Sequence, residues 1–129
     1  MRTLIINGKN ITSISTFYGE INRVFMQNED WDIGESLDAL NDLFYGGFGE
    51  IKGKENLKLI WENFEENKKT LGSETTKNFY EAKLKSPEIY NSSFVQEKLE
   101  ALNQGTGKTY LEIILEIIAE HSNLHLIQK

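Results

Sequence analysis

Three short apolar runs constrain this chain most: Thr3–Ile6, Leu57–Trp61 and Leu124–Ile127. Each has the length and residue types of a strand, and the long stretches between them carry helical spacing or turn residues. The order reads strand, helix, helix, strand, three or four helices, strand. Few strands separated by helices predict an α/β protein with a small parallel sheet and right-handed crossovers. At 129 residues the chain is expected to form a single domain spanning residues 1–129. It shows no internal repeat or low-complexity segment.

Local signals place the elements. Thr3–Ile6 reads as a short buried strand ended by the turn Asn7-Gly8. Ser15 is a good N-cap for a helix carrying Phe17, Ile21, Val24 and Phe25. Beyond the second strand, Glu62–Leu71 reads as a short polar helix ended by Gly72, and Ser73–Lys85 as a helix stopping before Pro87, the one proline. Ser93 and Gln96 form a capping-box pattern for a helix running to Gly105 through Val95, Leu99 and Leu102. Thr109 and Glu112 form another. It opens the most apolar helix, Tyr110 to about His121, whose expected core stripe is Leu111, Ile114, Leu115 and Ile118.

The functional signal lies in Gly34–Gly47, GESLDALNDLFYGG. Read as a helix starting at Ser36, it gathers Leu37, Leu40 and Phe44 on one face and Asp38, Asn41, Asp42 and Tyr45 on the other. Asp38 and Asp42 are one turn apart, so their charges repel, and aspartate is a poor mid-helix residue. That local conflict suggests a face built to meet something positive. Gly46, Gly47 and Gly49 are expected to end the helix with positive φ values.

Charge is segregated around this stretch. Between Val24 and Ile51 there are seven acids and no Lys or Arg, against thirteen acids and fourteen bases elsewhere, so the net −6 is −7 plus +1. Such a field steers cationic partners and repels nucleic acid. Trp31, Phe44, Tyr45 and Phe48 lie in the same window, which favours a contact surface over a solubilising run. There are no cysteines, which excludes disulfides, thiolate metal sites and cysteine nucleophiles. No separate signal peptide precedes the first strand, and the longest apolar stretch, Tyr110–Ala119, is interrupted by Glu112 and Glu116. A soluble, cytoplasmic protein without membrane or nucleic-acid partners is expected.

Ile5–Gly8 (IING), Gly34–Asp42 (GESLDALND) and Trp61–Glu65 (WENFE), with an apolar last helix feeding a short strand, resemble the barstar family of intracellular ribonuclease inhibitors. The resemblance covers roughly residues 3–69 and 110–128, and residues 70–109 read as a helical insertion like that of longer bacterial members. It implies a three-stranded parallel sheet covered by helices and stoichiometric blocking of a barnase-type ribonuclease toxin by an immunity protein. No cofactor is implied, and the free inhibitor is expected to be a monomer. Carried over by position, Asp38 and Asp42 would be the inhibitory carboxylates, with Asp42 where the substrate phosphate binds. Gly34, Ser36 and Leu37 would line the approach, Tyr45 and Gly46 the far end, and Glu116 a peripheral acidic contact. The chain departs from the family at Asp32 and Ile33, where tyrosines are usual just before the glycine, with Trp31 one position earlier, and at Asn41, where the family has a tryptophan.

Two other readings use the same residues. Asp38 and Asp42, with Glu35, could hold Mg²⁺ or act as a general acid/base pair in a small hydrolase. The region offers no histidine, Lys or Arg to stabilise an anionic transition state, which counts against catalysis. Alternatively the face could serve a generic acidic interaction module. Gly105–Thr109 (GTGKT) resembles the end of a P-loop, but Leu102 stands where its first glycine should be, so a loop and helix cap is the better reading. His121 reads as a last-turn residue near the helix dipole, His125 as an outward strand residue, and Trp61 as core.

Overall fold

A computed structural model describes residues 1–129. Its three strands are β1 (Arg2–Asn7), β2 (Leu57–Glu62) and β3 (Leu124–Gln128), all parallel, with β2 in the middle. Helices α1 (Ile14–Phe25) and α2 (Leu37–Phe44) lie between β1 and β2. Four more, α3 (Phe64–Thr70), α4 (Ser73–Leu84), α5 (Ser92–Asn103) and α6 (Tyr110–Glu120), lie between β2 and β3. The α/β class and the parallel sheet follow the sequence reading.

The helices cover one face of the sheet. In register, Ile6 sits opposite Trp61, and Leu59 lies between Leu4 and Leu126. Together with Leu57 and Leu124 these residues form the floor of the main core. The alternate residues face outward, and Ile5, Ile60 and Ile127 align as a row across all three strands. Ile5 is 45% exposed, so the first strand is a half-open edge and not the buried strand expected from its composition. Its apolar run supplies one fully buried residue, Ile6, because the outer face of the sheet has no helix over it.

Several helix starts differ from expectation. Ser13, not Ser15, caps α1: its hydroxyl accepts from Thr16 N–H while the Thr16 hydroxyl accepts from Ser13 N–H. A cap at Ser15 would place Tyr18 three residues on, where no short polar side chain could reciprocate. Asn91, not Ser93, caps α5 by accepting from Phe94 N–H, which lengthens the helix by two residues at its start. Helix α3 begins at Phe64, after Asn63 turns the chain through φ 58°. Gly72 follows its Leu71 cap and opens α4. The Thr109–Glu112 box forms as expected.

Two buried polar clusters join the layers. Asn67 accepts from Trp61 Nε1 (2.7 Å) and donates to Gly8 O (3.1 Å), tying β2, α3 and the end of β1 together. Gly8 is required there, because a Cβ would sit 2.2 Å from Glu62 O and 2.5 Å from Asn67 Oδ1. Tyr18 on α1 and Tyr110 at the start of α6 share a buried hydroxyl–hydroxyl hydrogen bond. Burial pushes both phenols up, Tyr110 to about 12, so both stay neutral.

Helices α4 and α5 have a small core of their own, Tyr80, Val95, Leu99 and Leu102, separate from the main one. This hairpin is fastened to α6 chiefly through α4. Tyr110 N–H donates to Thr76 Oγ1 (2.8 Å), Thr76 donates to Gly72 O (2.7 Å), and Phe79 packs edge-on against Tyr110.

Glu20 is a buried carboxylate on α1. It receives Arg23 Nε and Nη2, Asn10 Nδ2 and Asn7 N–H, all within 2.9 Å. Burial alone would raise its pKa, but the hydrogen bonds from Arg23, then Asn10 and Asn7, hold it below the usual 4.5. A lowered carboxylate pKa adds stability that is present above about 4.5 and is lost as the pH falls through the folded-state value. Glu20→Gln should therefore cost about 1–3 kcal/mol at pH 7. Urea melts of both proteins at pH 7 and pH 3 should show the difference shrinking in acid. An equal gap at both pH values would assign the effect to packing alone.

Candidate functional site

The acidic helix α2 forms as the sequence indicates. Ser36 accepts from Ala39 N–H at 3.1 Å, Leu40, Leu43 and Phe44 are buried, and Tyr45 ends the helix. Gly46 follows at φ 83°, where a Cβ would lie 2.2 Å from Gly53 O. The second glycine of the pair, Gly47, does not take a positive φ, whereas Gly49 does. The Gly46 turn is closed by Gly53 N–H donating to Gly46 O at 2.8 Å.

The loop ahead of α2 is held at three points. Asn22 on α1 clamps Ile33, accepting from its N–H (2.8 Å) and donating to its carbonyl (3.4 Å), and the Ile33 side chain is buried. Ser15 donates to Glu35 at 3.0 Å. Trp31 packs against Phe48 with the rings tilted and their centroids 4.9 Å apart, yet stays 46% exposed. Asp32, Gly34, Ser36 and Asp38, along this loop and the start of α2, are all exposed. So are Asp42 and Tyr45, the latter 60% exposed, toward the end of the helix.

The seven acids of this window divide into two groups. Glu50 pairs with Arg2 and accepts from Asn28, Glu29 accepts from Gly49 N–H, and Glu35 accepts from Ser15. None of the five ion pairs in the molecule involves Asp30, Asp32, Asp38 or Asp42. The uncompensated charge is concentrated on the loop and the helix. No three His, Asp or Glu side chains converge to hold a metal ion.

One site residue sits differently from its expected place. Asn41 does not face solvent. It is half-buried, with Oδ1 2.8 Å from Nε2 of His121 at the end of α6. His121 is itself buried and packs edge-on against Tyr45 (4.7 Å) and Phe44 (5.9 Å). It is a pivot between α2 and α6 as well as a helix-end residue, a role that sequence reading missed. The fold brings it there across 80 residues. Glu116 is exposed but already engaged, with Lys108 at 2.6 Å. It faces the α4–α5 hairpin and lines the same cleft as Leu37. His125 is exposed and pairs with Asn56, and Trp61 is core, both as expected.

The model of the family described as Barstar (barnase inhibitor) matches residues 1–85 of this chain. That is about two thirds of its 129 residues and includes α2, its leading loop and the Gly46 turn. The chain belongs to the barstar family. The matched segment runs through β1, β2 and α4 and stops before α5, α6 and β3. No curated protein is matched by the chain. Barstar proteins are inhibitors and not enzymes, and their partner is a protein. No helix of this member is long and apolar enough to cross a membrane.

His121→Ala should leave Asn41 Oδ1 without its partner and a void beneath Tyr45. We expect a loss of about 1–3 kcal/mol in urea unfolding. Amide exchange should speed up in α2 more than in α1. Uniform acceleration along the chain would show that His121 acts on global stability and not on this helix.

Proposed function

We propose that this barstar-family protein is an immunity protein that blocks the active site of a barnase-type ribonuclease toxin with α2 and its leading loop. The observation that carries the reading is the set of unpaired carboxylates on a rigid, capped helix, with Asp38 and Asp42 free of any ion pair. A ribonuclease cleft is lined with cations that hold the scissile phosphate. A carboxylate fixed on a helix can take that phosphate's place, and an Arg–carboxylate pair that loses its water is strong and geometrically specific. Asp42 is the phosphate mimic in this reading, and Asp38 the second charge. Gly34, Ser36 and Leu37 form the approach; Trp31 and Asp32 lie on the preceding loop and Tyr45 and Gly46 at the far end.

The acidic field would speed encounter, and the buried pairs would slow release. That description of charged interfaces was itself worked out on barnase with barstar, so it supplies the class of mechanism and no independent magnitude. Asn41 has a different part here. Turned inward to His121, it fixes the helix and does not stack on the enzyme, so Trp31 and Tyr45 are the aromatic groups left to meet the cleft. Glu116, held by Lys108, belongs to the rim. In this reading the stretch 70–109 is a helical addition to a single domain, although residues 70–85 fall within the family match, and the hairpin has a small core of its own.

The test is co-expression with ribonuclease toxins, beginning with any encoded beside this gene, scored by cell survival and then by complex formation. Asp42→Ala should weaken the complex by at least about 2 kcal/mol. Its unfolding midpoint should hold or rise slightly, because a like-charge pair one turn apart is relieved. Survival that is indifferent to both Asp38→Ala and Asp42→Ala would remove the acidic helix from the interface.

A further inference from the structure

Beside the N-terminal end of α2 a groove of about 490 Å³ runs between the α4–α5 hairpin and α6. Leu37, Phe79 and Ile113 contribute to its apolar lining, and Lys83, Lys98 and Phe94 stand at its edges. Neither Lys83 nor Lys98 has a carboxylate within ion-pair distance. Lys83 lies over the rings of Phe79 (4.4 Å) and Tyr90 (5.0 Å), and Lys98 over Phe94 (5.2 Å). Phe94 is 54% exposed, although it belongs to a helix whose other apolar residues fill a core. Burial lowers the pKa of Lys83, a sign that its charge is held at some cost in the free protein.

The groove is continuous with the acidic face. Leu37, Phe79 and Lys83 also line a neighbouring cleft of about 350 Å³, together with Glu35, Ser36 and Asp38. The Lys108–Glu116 pair also lines the groove, with its charges already matched. The open charge is therefore negative on α2 and positive on the hairpin, side by side. A partner complementary to both would bring cations to Asp38 and Asp42 and an anion to Lys83 and Lys98.

We infer that this groove is a second contact for the same ribonuclease, receiving a surface segment that carries a carboxylate next to an apolar side chain. The inference rests on the ribonuclease-inhibitor reading. The apolar group would fill the space over Leu37 and Ile113, while the carboxylate would meet the two lysines. Desolvated charge pairs and ring faces of this kind are where binding energy concentrates in interfaces. The contact would make the hairpin a determinant of which ribonuclease is bound, separate from the phosphate mimicry that any such enzyme would recognise.

The probe is whichever ribonuclease is rescued in the co-expression test, titrated against the whole inhibitor. Lys83→Glu with Lys98→Glu should raise Kd at least about tenfold. Lys58→Glu with Lys129→Glu, the same charge change placed on the sheet away from the hairpin, should shift it by far less. Unfolding midpoints are measured alongside, because Lys83 and Lys98 also give up their ring contacts, and the Kd comparison is made at a temperature where both double variants are fully folded. Equal effects of the two double variants would reduce the groove to long-range electrostatics and overturn the inference. So would unchanged ribonuclease binding together with loss of a free-protein dimer in sedimentation, which would make the occupant a second copy of this chain. If the groove variants are neutral while Asp42→Ala still disrupts the complex, the groove alone is wrong. If no ribonuclease is rescued or bound, the inhibitor reading falls and this inference with it.

Discussion

An eight-residue helix cannot hold itself together in water, because nucleation costs more than two turns return. Everything proposed for α2 depends on what the rest of the fold supplies to it. Burial of Leu40, Leu43 and Phe44 contributes about 1.5–3 kcal/mol per side chain, far more than the few tenths lost to repulsion between Asp38 and Asp42. Ser36 satisfies one end and the Gly46 turn closes the other. The carboxylates are therefore carried by an element whose geometry is set from behind. A rigid anion can imitate a phosphate in a fixed cleft, where a mobile one would lose ordering entropy on binding.

The protein treats its acids unequally. Glu20 is deeply buried, and four donor atoms surround it, so its charge is fully spoken for. Glu50 lies within the acidic window, yet Arg2 reaches it from the first strand. Asp38 and Asp42 have no such partner. A fold that brings an arginine across 48 residues to one acid, and leaves its most crowded acids alone, has not simply run short of cations. The free charge sits on the same loop and helix as the exposed aromatics Trp31 and Tyr45, a composition common in interfaces.

Features with local causes were legible in the sequence. The three strands, the span of α2 and the Thr109–Glu112 cap follow from residues within a few positions of each other. Where local signals competed, the structure chose the option with more hydrogen bonds or a longer helix. Ser13 won over Ser15 through the reciprocal bond with Thr16, and Asn91 won over Ser93 by adding two helical residues. Features with distant causes were not legible. The inward turn of Asn41 needs His121, and the exposure of Ile5 depends on which sheet face the helices occupy. Periodicity assigns Asn41 to a polar face, but it cannot say that another helix end will arrive there with a matching nitrogen.

Helix α6 connects these observations. Its start binds the hairpin through Tyr110 and Thr76, its middle lies in the main core, and its end holds Asn41 and Tyr45 through His121. The support of the acidic helix and the placement of the lysine groove are thus set by one rigid element. Leu37 shares a cleft with Phe79, so the first turn of α2 and the inner face of α4 form neighbouring walls. A change in how the hairpin docks would alter the flank of the acidic face without moving Asp42, because Asp42 is carried by α2 and its own anchors. Such an arrangement lets the flank vary while the carboxylates of α2 stay fixed. It is a physical route by which inhibitors that share one mechanism can come to prefer different enzymes.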